Sequence, residues 1–143
     1  MKTRFLDTSV IVAAFWGDHP QHQQSADLLK TCTPTTAFCA AHSVAETYSV
    51  LTRLPVKPPI PTEQALLFIR EIQDRFTVVT LTGKEYFATV ERLAESGLAK
   101  SYIYDGLIMS AAAKSGADIV YTWDIGHFRR VSPPAIVNRI RTP

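Results

Sequence analysis

The feature of this sequence that most limits its fold is the alternation of short apolar segments with longer segments of helical periodicity. Four apolar segments, each typical of a buried strand, occupy residues 3–7, 36–40, 77–81 and 118–122. Between them, apolar residues recur three and four positions apart, as on one face of a helix. Strands that alternate with helices form a parallel sheet covered on both faces. The sequence therefore predicts an α/β fold with a parallel central sheet flanked by helices on both faces.

The sequence also indicates where helices begin and end. Helical segments are expected at residues 9–16, 19–30, 43–54, around 65–72, from 82 to 97 and at 105–116. Pro20 is expected in the first turn of the second helix, and Thr82 with Glu85 forms a capping-box pattern. Gly97 and Gly116 are expected to end their helices. The apolar faces are predicted to consist of Val44, Tyr48 and Leu51, of Ala65, Phe68, Ile69 and Ile72, of Tyr86, Val90, Leu93 and Ala94, and of Leu107, Ile108, Ala111 and Ala112.

Length and composition set the class of protein. The chain has 143 residues, of which 46% are hydrophobic, and its formal charge is +2. This predicts a single domain over residues 1–143, and the small positive charge is compatible with nucleic acid without indicating it. The first residues lack the apolar stretch of a signal peptide, and no apolar run approaches the length of a membrane span. Cys32 and Cys39 show no metal-ligand spacing, so we expect a cytoplasmic protein without membrane association.

Four acidic residues stand near the ends of the predicted elements. Asp7 ends the first strand, and Asp124 lies two residues past the last one, so both are expected at the carboxyl edge of the sheet, where such folds bind ligands. Glu46 lies early in the helix after the second strand and is expected at the same edge. Asp105 begins the helix that leads into the last strand. By topology we expect that helix to start at the opposite edge, unless the chain crosses over first.

Each acid also has an ordinary structural interpretation. Asp7 fits a helix N-cap, Glu46 fits a capping box with Ser43, Asp105 fits a helix-dipole position, and Asp124 fits an Asx-turn. Together the four acids indicate more, because two like charges 4 Å apart repel by about 4 kcal/mol at an effective dielectric near 20. A hard cation such as Mg²⁺ removes that repulsion. Such a site suits phosphodiester hydrolysis.

These residues resemble a known family. "LDTS", "AHSVAETYSVLTRLP", "YDGLIMSAAAKSGADIVYTWD" and "IGHF", in this order over nearly the whole chain, are similar to the PIN domain, and in particular to the VapC toxins of bacterial toxin–antitoxin pairs. The resemblance implies endoribonuclease activity, Mg²⁺ or Mn²⁺ as cofactor, RNA as substrate, a cognate antitoxin and a homodimer. It also implies that Asp7, Glu46, Asp105 and Asp124 hold the metal and catalyse, with Ser9 and Thr122 as supporting polar residues.

Several other residues have open roles. His19 and His22 are spaced for a metal but are expected to be exposed, and His127 is expected either to face the substrate or to pack beside Phe128. The basic residues that could border the pocket and hold phosphates, or simply be scattered, are Arg4, Lys100, Arg129 and Arg130. The segment Pro55–Pro61 is compatible with an arm for the partner and with a rigid loop.

Three other functions remain possible at this point. A phosphatase would use Asp7 as nucleophile, but such enzymes usually carry a second Asp where this chain has Ser9. A PIN-like module that binds RNA or protein without cutting is the second. A ribonuclease that works by acid–base catalysis through His42 or His127 is the third. No dinucleotide, P-loop or GxSxG motif is present.

Overall fold

A parallel five-stranded sheet forms the centre of the molecule in the computed structural model, which describes all residues from Met1 to Pro143. The strands, numbered in chain order, are β1 (Arg4–Leu6), β2 (Ala37–Ala40), β3 (Thr77–Val79), β4 (Ile119–Tyr121) and β5 (Ile140–Arg141). Their order in the sheet is β3-β2-β1-β4-β5, and every neighbouring pair is parallel. The predicted fold class is therefore confirmed. Among the strands only β5, with two residues, was not anticipated, and the helices at residues 125–131 and 134–139 were not predicted either.

Seven α-helices and one 3₁₀ helix surround the sheet. They are α1 (Thr8–Phe15), α2 (His22–Lys30), α3 (Ala41–Thr52), α4 (Thr62–Arg75), α5 (Gly83–Glu95), α6 (Tyr102–Ser115), α7 (Ile125–Val131) and the 3₁₀ helix Pro134–Arg139. Pro20 precedes α2 instead of lying in its first turn, so that detail of the prediction is wrong. The Thr82–Glu85 capping box is present, and both Gly97 and Gly116 follow a helix with positive φ, as predicted. None of these helices is long and apolar enough to cross a membrane.

The chain changes direction across the sheet at β1. It runs from β1 outward to β2 and β3, and then returns to add β4 and β5 on the other side of β1. Phe5 lies in register with Phe38 of β2 and with Val120 of β4. In open parallel sheets, the crevice beyond the carboxyl ends of the strands at such a switch point is the usual binding site. We therefore expect a binding site formed by the residues that follow β1 and β4.

Neighbouring residues of β1 point to opposite faces of the sheet and belong to two separate cores. Phe5 belongs to the core that packs against α6 and α7, together with Ile108 and Val131. Leu6 belongs to the core formed with α1, α2 and α4. Both cores lie under helices, which is why the strands show almost continuous apolar residues.

The predicted inward faces of two helices are partly wrong. Tyr48 of α3 is exposed, and so are Tyr86, Val90 and Ala94 of α5. In α5 the inward positions are Thr89 and Leu93. The Thr89 hydroxyl bonds the Ser110 hydroxyl of α6 at 2.7 Å. Leu93 covers Gly106, where an added Cβ would lie 2.7 Å from a Leu93 methyl carbon. A polar contact and a glycine therefore set the rotation of α5, which an apolar pattern does not reveal.

Candidate active site

All four predicted acids line one cleft, of about 270 Å³, at the carboxyl edge of the sheet. Asp7 follows β1 and caps α1, Glu46 lies in the second turn of α3, Asp105 lies in the first turn of α6, and Asp124 caps α7. The other lining residues are Thr8, Ser9, Val12, His19, Val50 and Phe128. The structure thus brings together every acid that the sequence singled out.

The position of Asp105 corrects the expectation from topology. The helix that leads into a parallel strand runs antiparallel to it, so α6 ends close to the start of β4 and begins at the carboxyl edge. The expectation that α6 starts at the opposite edge was therefore wrong. The same topology that places Glu46 in the cleft also places Asp105 there.

Asp7 is the most buried of the acids, with 1% of its surface exposed. Its Oδ1 accepts hydrogen bonds from the Ser9 hydroxyl at 2.7 Å and from the Val10 amide at 3.2 Å. Its Oδ2 accepts one from the Thr122 hydroxyl at 2.9 Å. Burial raises the pKa of Asp7 to about 7, although these hydrogen bonds act in the opposite direction; the nearby charge of Asp105 raises it further. Asp7 therefore caps helix α1, as its ordinary structural interpretation predicts, and also lies in the acidic cleft.

Ser9 and Thr122 connect Asp7 to the loop after β4. The Ser9 oxygen accepts a hydrogen bond from the Trp123 amide at 3.1 Å. The Thr122 oxygen accepts one from the Asp124 amide at 3.0 Å. These two hydroxyls therefore fix both the orientation of the Asp7 carboxylate and the backbone that carries Asp124.

Asp105 is paired with a histidine. Its Oδ2 lies 2.5 Å from Nε2 of His127. The His127 ring stacks on Tyr102, with centroids 4.7 Å apart, and meets Phe128 edge-on at 6.0 Å. Burial raises the pKa of Asp105, the contact with His127 lowers it, and the charges of Glu46 and Asp124 raise it. The expected packing of His127 beside Phe128 is present, but its contact with Asp105 was not anticipated.

The capping interpretations of the other two acids differ in outcome. Helix α3 begins at Ala41 without a side-chain cap, and the buried Ser43 accepts a hydrogen bond from Thr8, so the proposed capping box of Glu46 is absent. Glu46 instead lies 3.6 Å from Nε2 of His42. Asp124 accepts a hydrogen bond from the His127 amide at 3.3 Å and caps α7.

The chemistry of this donor set suits a hard divalent cation. Carboxylate oxygens are the ligands that Mg²⁺ prefers, and the buried Asp7 has no cationic partner to offset its charge. In the present side-chain arrangement, however, no three acidic, histidine or cysteine side chains converge on one point. Asp105 is turned toward His127 instead. The residues therefore fit the cation by type and by location, although Oδ2 of Asp105 is engaged by His127 in this arrangement.

The remaining candidates lie in different places. His19 lines the cleft and is half-buried, so the expectation of exposure was wrong; its Nδ1 accepts a hydrogen bond from the Gln21 amide. His22 is also half-buried and contacts the Ala13 carbonyl oxygen instead, so the two histidines form no joint metal site. Arg4 begins β1, at the edge opposite the cleft, and bonds Thr31, so it does not border the pocket.

Arg130 is the basic candidate that the structure connects to the cleft. Its guanidinium lies 5.2 Å from the centre of the Tyr102 ring, and it donates a hydrogen bond to the Tyr102 hydroxyl at 3.0 Å. Tyr102 in turn stacks on His127. No sequence pattern indicated the position of Tyr102 between Arg130 and His127, apart from its place three residues before Asp105.

The fold and the cleft define an α/β domain that gathers four carboxylates at the switch point of a parallel sheet. The sequence pattern of the PIN domain matches residues 4–132. The chain also shares 31% identity over 114 residues with Ribonuclease VapC40 of Mycobacterium tuberculosis, which covers 80% of this chain and 81% of the relative. The chain therefore belongs to the PIN domain family and is a VapC-type member of it.

Solved structures of VapC proteins share the fold. Mycobacterium tuberculosis VapC20, described as a toxin that cleaves the sarcin-ricin loop, superposes with a TM-score of 0.71 at 20% identity, over 88% of this chain and 92% of that one. VapBC2 from Rickettsia felis, bound to a promoter DNA fragment, gives 0.67 at 19% identity over 99% and 98% of the chains. VapBC-1 from nontypeable Haemophilus influenzae gives 0.64 at 17% identity over 98% and 97%.

Proposed function

We propose that this protein is a metal-dependent endoribonuclease that acts as the toxin of a toxin–antitoxin pair. The observation that carries the proposal is the single cleft that contains Asp7, Glu46, Asp105 and Asp124 in a VapC-type PIN domain. The relative named Ribonuclease VapC40 supports RNA as the substrate. The similarity to a toxin that cleaves the sarcin-ricin loop supports the same class of substrate.

The proposed cofactor is Mg²⁺, for which Mn²⁺ would substitute. Asp7, Glu46, Asp105 and Asp124 would hold it, and the bound cation would supply Lewis-acid stabilisation of the phosphate and a lowered pKa of water. The chain itself contributes a fixed orientation of Asp7, because the hydroxyls of Ser9 and Thr122 bond its two oxygens. Prior orientation of a charged group avoids reorganisation during the reaction.

The proposed partners are an RNA substrate and a cognate antitoxin. The two VapBC structures, each similar over almost the whole chain, support the antitoxin. A homodimer is proposed from the family resemblance alone. Pro55–Pro61, a mostly exposed loop between α3 and α4, is compatible with a contact to either protein.

Two other functions are less well supported. A phosphatase would need Asp7 to attack phosphorus, yet Asp7 is 1% exposed and both of its oxygens already accept hydrogen bonds. A binding module that does not cut RNA would not need four neighbouring carboxylates, in a cleft where burial and then the charges of Glu46 and Asp124 raise the pKa of Asp105. Neither alternative accounts for the composition of the cleft.

Cleavage of a labelled RNA tests the enzymatic proposal. The wild type should cut with Mg²⁺ or Mn²⁺ and stop when EDTA is added. The variants Asp7→Asn, Glu46→Gln and Asp105→Asn should each lose about 100-fold or more in rate, because even a residue that only orients a metal ligand contributes about 10- to 100-fold. The matched controls Asp74→Asn and Glu95→Gln change exposed acids outside the cleft and should cut like the wild type. Equal rates for the cleft variants and the controls would refute the assignment.

Growth of bacteria tests the toxin role. Expression of the chain alone should slow growth, and Asp7→Ala, Glu46→Ala or Asp105→Ala should restore it. Growth arrest of the same degree by a soluble and folded triple variant would indicate a protein that acts by binding.

A further inference from the structure

A second groove, of about 340 Å³, adjoins the acidic cleft. The two cavities share Glu46 as a lining residue. One wall is a single face of α3, formed by His42, Ala45, Glu46, Ser49 and Arg53, which are spaced at helical intervals. The other wall is Tyr104, the residue directly before Asp105. A molecule that enters the acidic cleft at Glu46 therefore continues naturally into this groove.

Tyr104 offers an aromatic surface to solvent. Although it belongs to a well-packed helix, 52% of its surface is exposed. Its ring lies nearly parallel to the His42 ring, with an interplanar angle of 9° and centroids 5.6 Å apart. The contact with His42 fixes the orientation of the ring while part of it stays accessible. An exposed aromatic ring with fixed orientation is the platform on which unpaired bases stack.

Arg53 supplies positive charge at the far end of the groove. Its guanidinium donates a hydrogen bond to the Ser49 hydroxyl at 2.9 Å, and it forms no ion pair with a carboxylate. Along α3 it lies about 10 Å from Glu46, since each residue of an α-helix adds about 1.5 Å. The groove therefore runs from the acids, past an aromatic ring, to a cation that has donors left for a phosphate.

We propose that this groove binds the nucleotide next to the scissile phosphate of a single-stranded RNA, with its base on Tyr104 and its phosphate at Arg53. The inference depends on the proposed ribonuclease function and names a binding subsite for its substrate. The volume of the groove falls in the range of small-ligand sites, which starts at about 300 Å³. A duplex would keep its bases stacked inside the helix, so the groove selects unpaired RNA.

RNA binding without cleavage tests the subsite. In the Asp7→Asn background, the affinity for a fluorescently labelled single-stranded oligoribonucleotide with all four bases is measured by anisotropy. Adding Tyr104→Ala should weaken binding about 5- to 150-fold, the range expected for the loss of one stacked base. Tyr104→Phe keeps the ring and should bind like its parent. The matched control Tyr86→Ala removes an exposed tyrosine on α5, outside both cavities, and should also bind like its parent.

Salt dependence and abasic RNA provide two independent readouts. Arg53→Gln should lower the slope of log affinity against log salt by about 0.7, the value for one phosphate contact on a single strand. A single abasic nucleotide, moved along the RNA, should weaken binding at one position. At that position the abasic change should cause no further loss in Tyr104→Ala, because the two changes remove the same contact. This comparison of the two changes, alone and combined, tests the contact between the base and Tyr104 even if Tyr104→Ala alters the local packing.

The outcomes separate the subsite from the nuclease. The subsite is overturned if the affinity of Tyr104→Ala for RNA lies within twofold of its parent. It is also overturned if Tyr104→Phe loses as much affinity as Tyr104→Ala, or if the parent does not bind RNA at all. If Tyr104→Ala in the otherwise wild-type chain cleaves RNA at the wild-type rate, the subsite is overturned and the nuclease function stays in place. Binding that depends on Tyr104 without any metal-dependent cleavage by the wild type would support base stacking in the groove and refute the nuclease function, and with it the position next to a scissile phosphate.

Discussion

Nε2 of His127 lies 2.5 Å from Oδ2 of Asp105, so a histidine occupies one of the carboxylate oxygens that a cation in the cleft would use. The histidine is not free to swing away without cost, because its ring also stacks on Tyr102. We therefore expect metal binding and the His127–Asp105 contact to compete for Oδ2 of Asp105.

Replacing His127 should strengthen metal binding. His127→Phe keeps an aromatic ring on Tyr102 but removes the polar contact, so we expect its dissociation constant for Mn²⁺, measured by calorimetry, to fall several-fold. His22→Phe, which changes a histidine outside the cleft, is a control for the loss of a ring nitrogen. Weaker binding in His127→Phe would show that the histidine orients Asp105 for the cation instead of competing with it.

Metal should also stabilise the fold. Four carboxylates at one edge repel, and a cation at 100 times its dissociation constant adds about 2.7 kcal/mol to the free energy of unfolding. The melting temperature should rise with Mn²⁺ or Mg²⁺, and Asp7→Asn or Asp105→Asn should remove most of the rise. Asp74→Asn, an exposed acid on α4, should retain it. A wild type that shows neither a thermal shift nor heat of binding would refute a shared metal site.

Asp7 should make the metal-free protein less stable as the pH rises. Its pKa in the folded protein, about 7, lies above its ordinary value of 3.8. A carboxyl with a raised folded pKa contributes its stability fully below pH 3.8 and loses it as the pH rises through 7. The loss amounts to at most about 4 kcal/mol, since one pKa unit corresponds to about 1.4 kcal/mol.

Chemical denaturation in EDTA at pH 5 and pH 8 measures this effect. Asp7→Asn carries no titrating group, so its stability relative to the wild type should be higher at pH 8 than at pH 5. Other titrating groups act in both proteins and cancel in the difference. If the difference between the two proteins does not change with pH, Asp7 is ionised at both values and its burial costs less than proposed.

The rule that ligands bind beyond the carboxyl ends of parallel strands located three of the four acids, because it depends only on chain direction. Asp7 and Asp124 follow strands that the apolar pattern revealed, and Glu46 follows β2 through the start of α3. Asp105 was assigned to the correct site only through the family resemblance, since the direction of the helix before β4 was judged incorrectly. The contact between Asp105 and His127 joins side chains 22 residues apart, which no local pattern encodes.

The rotation of helices about their axes and the shortest strands were the other features that the sequence did not predict. Thr89 points inward because Ser110 provides a hydrogen-bond partner, so Val90 is left in solvent. The strand β5 has two residues, too few to show alternation. The single domain over residues 1–143, the homodimer and the catalytic roles of the four acids stay predictions.

The chemical ends of the cleaved RNA should identify the nucleophile. If the carboxylates hold a cation, water attacks phosphorus, the bond to the 3′-oxygen breaks, and that oxygen leaves with a proton. The products then carry a 5′-phosphate and a 3′-hydroxyl, and the ribose 2′-hydroxyl takes no part. A substrate with 2′-deoxyribose at the cleaved position should therefore still be cut, and EDTA should stop the reaction.

Acid–base catalysis without metal would instead use the 2′-hydroxyl and leave a cyclic phosphate. His42 lies beside Glu46, His127 beside Asp105, and His19 lines the cleft, so imidazoles for that route are in place. Cyclic phosphate ends that form in EDTA, and vanish with the 2′-deoxy substrate, would reassign catalysis from the four acids to these histidines.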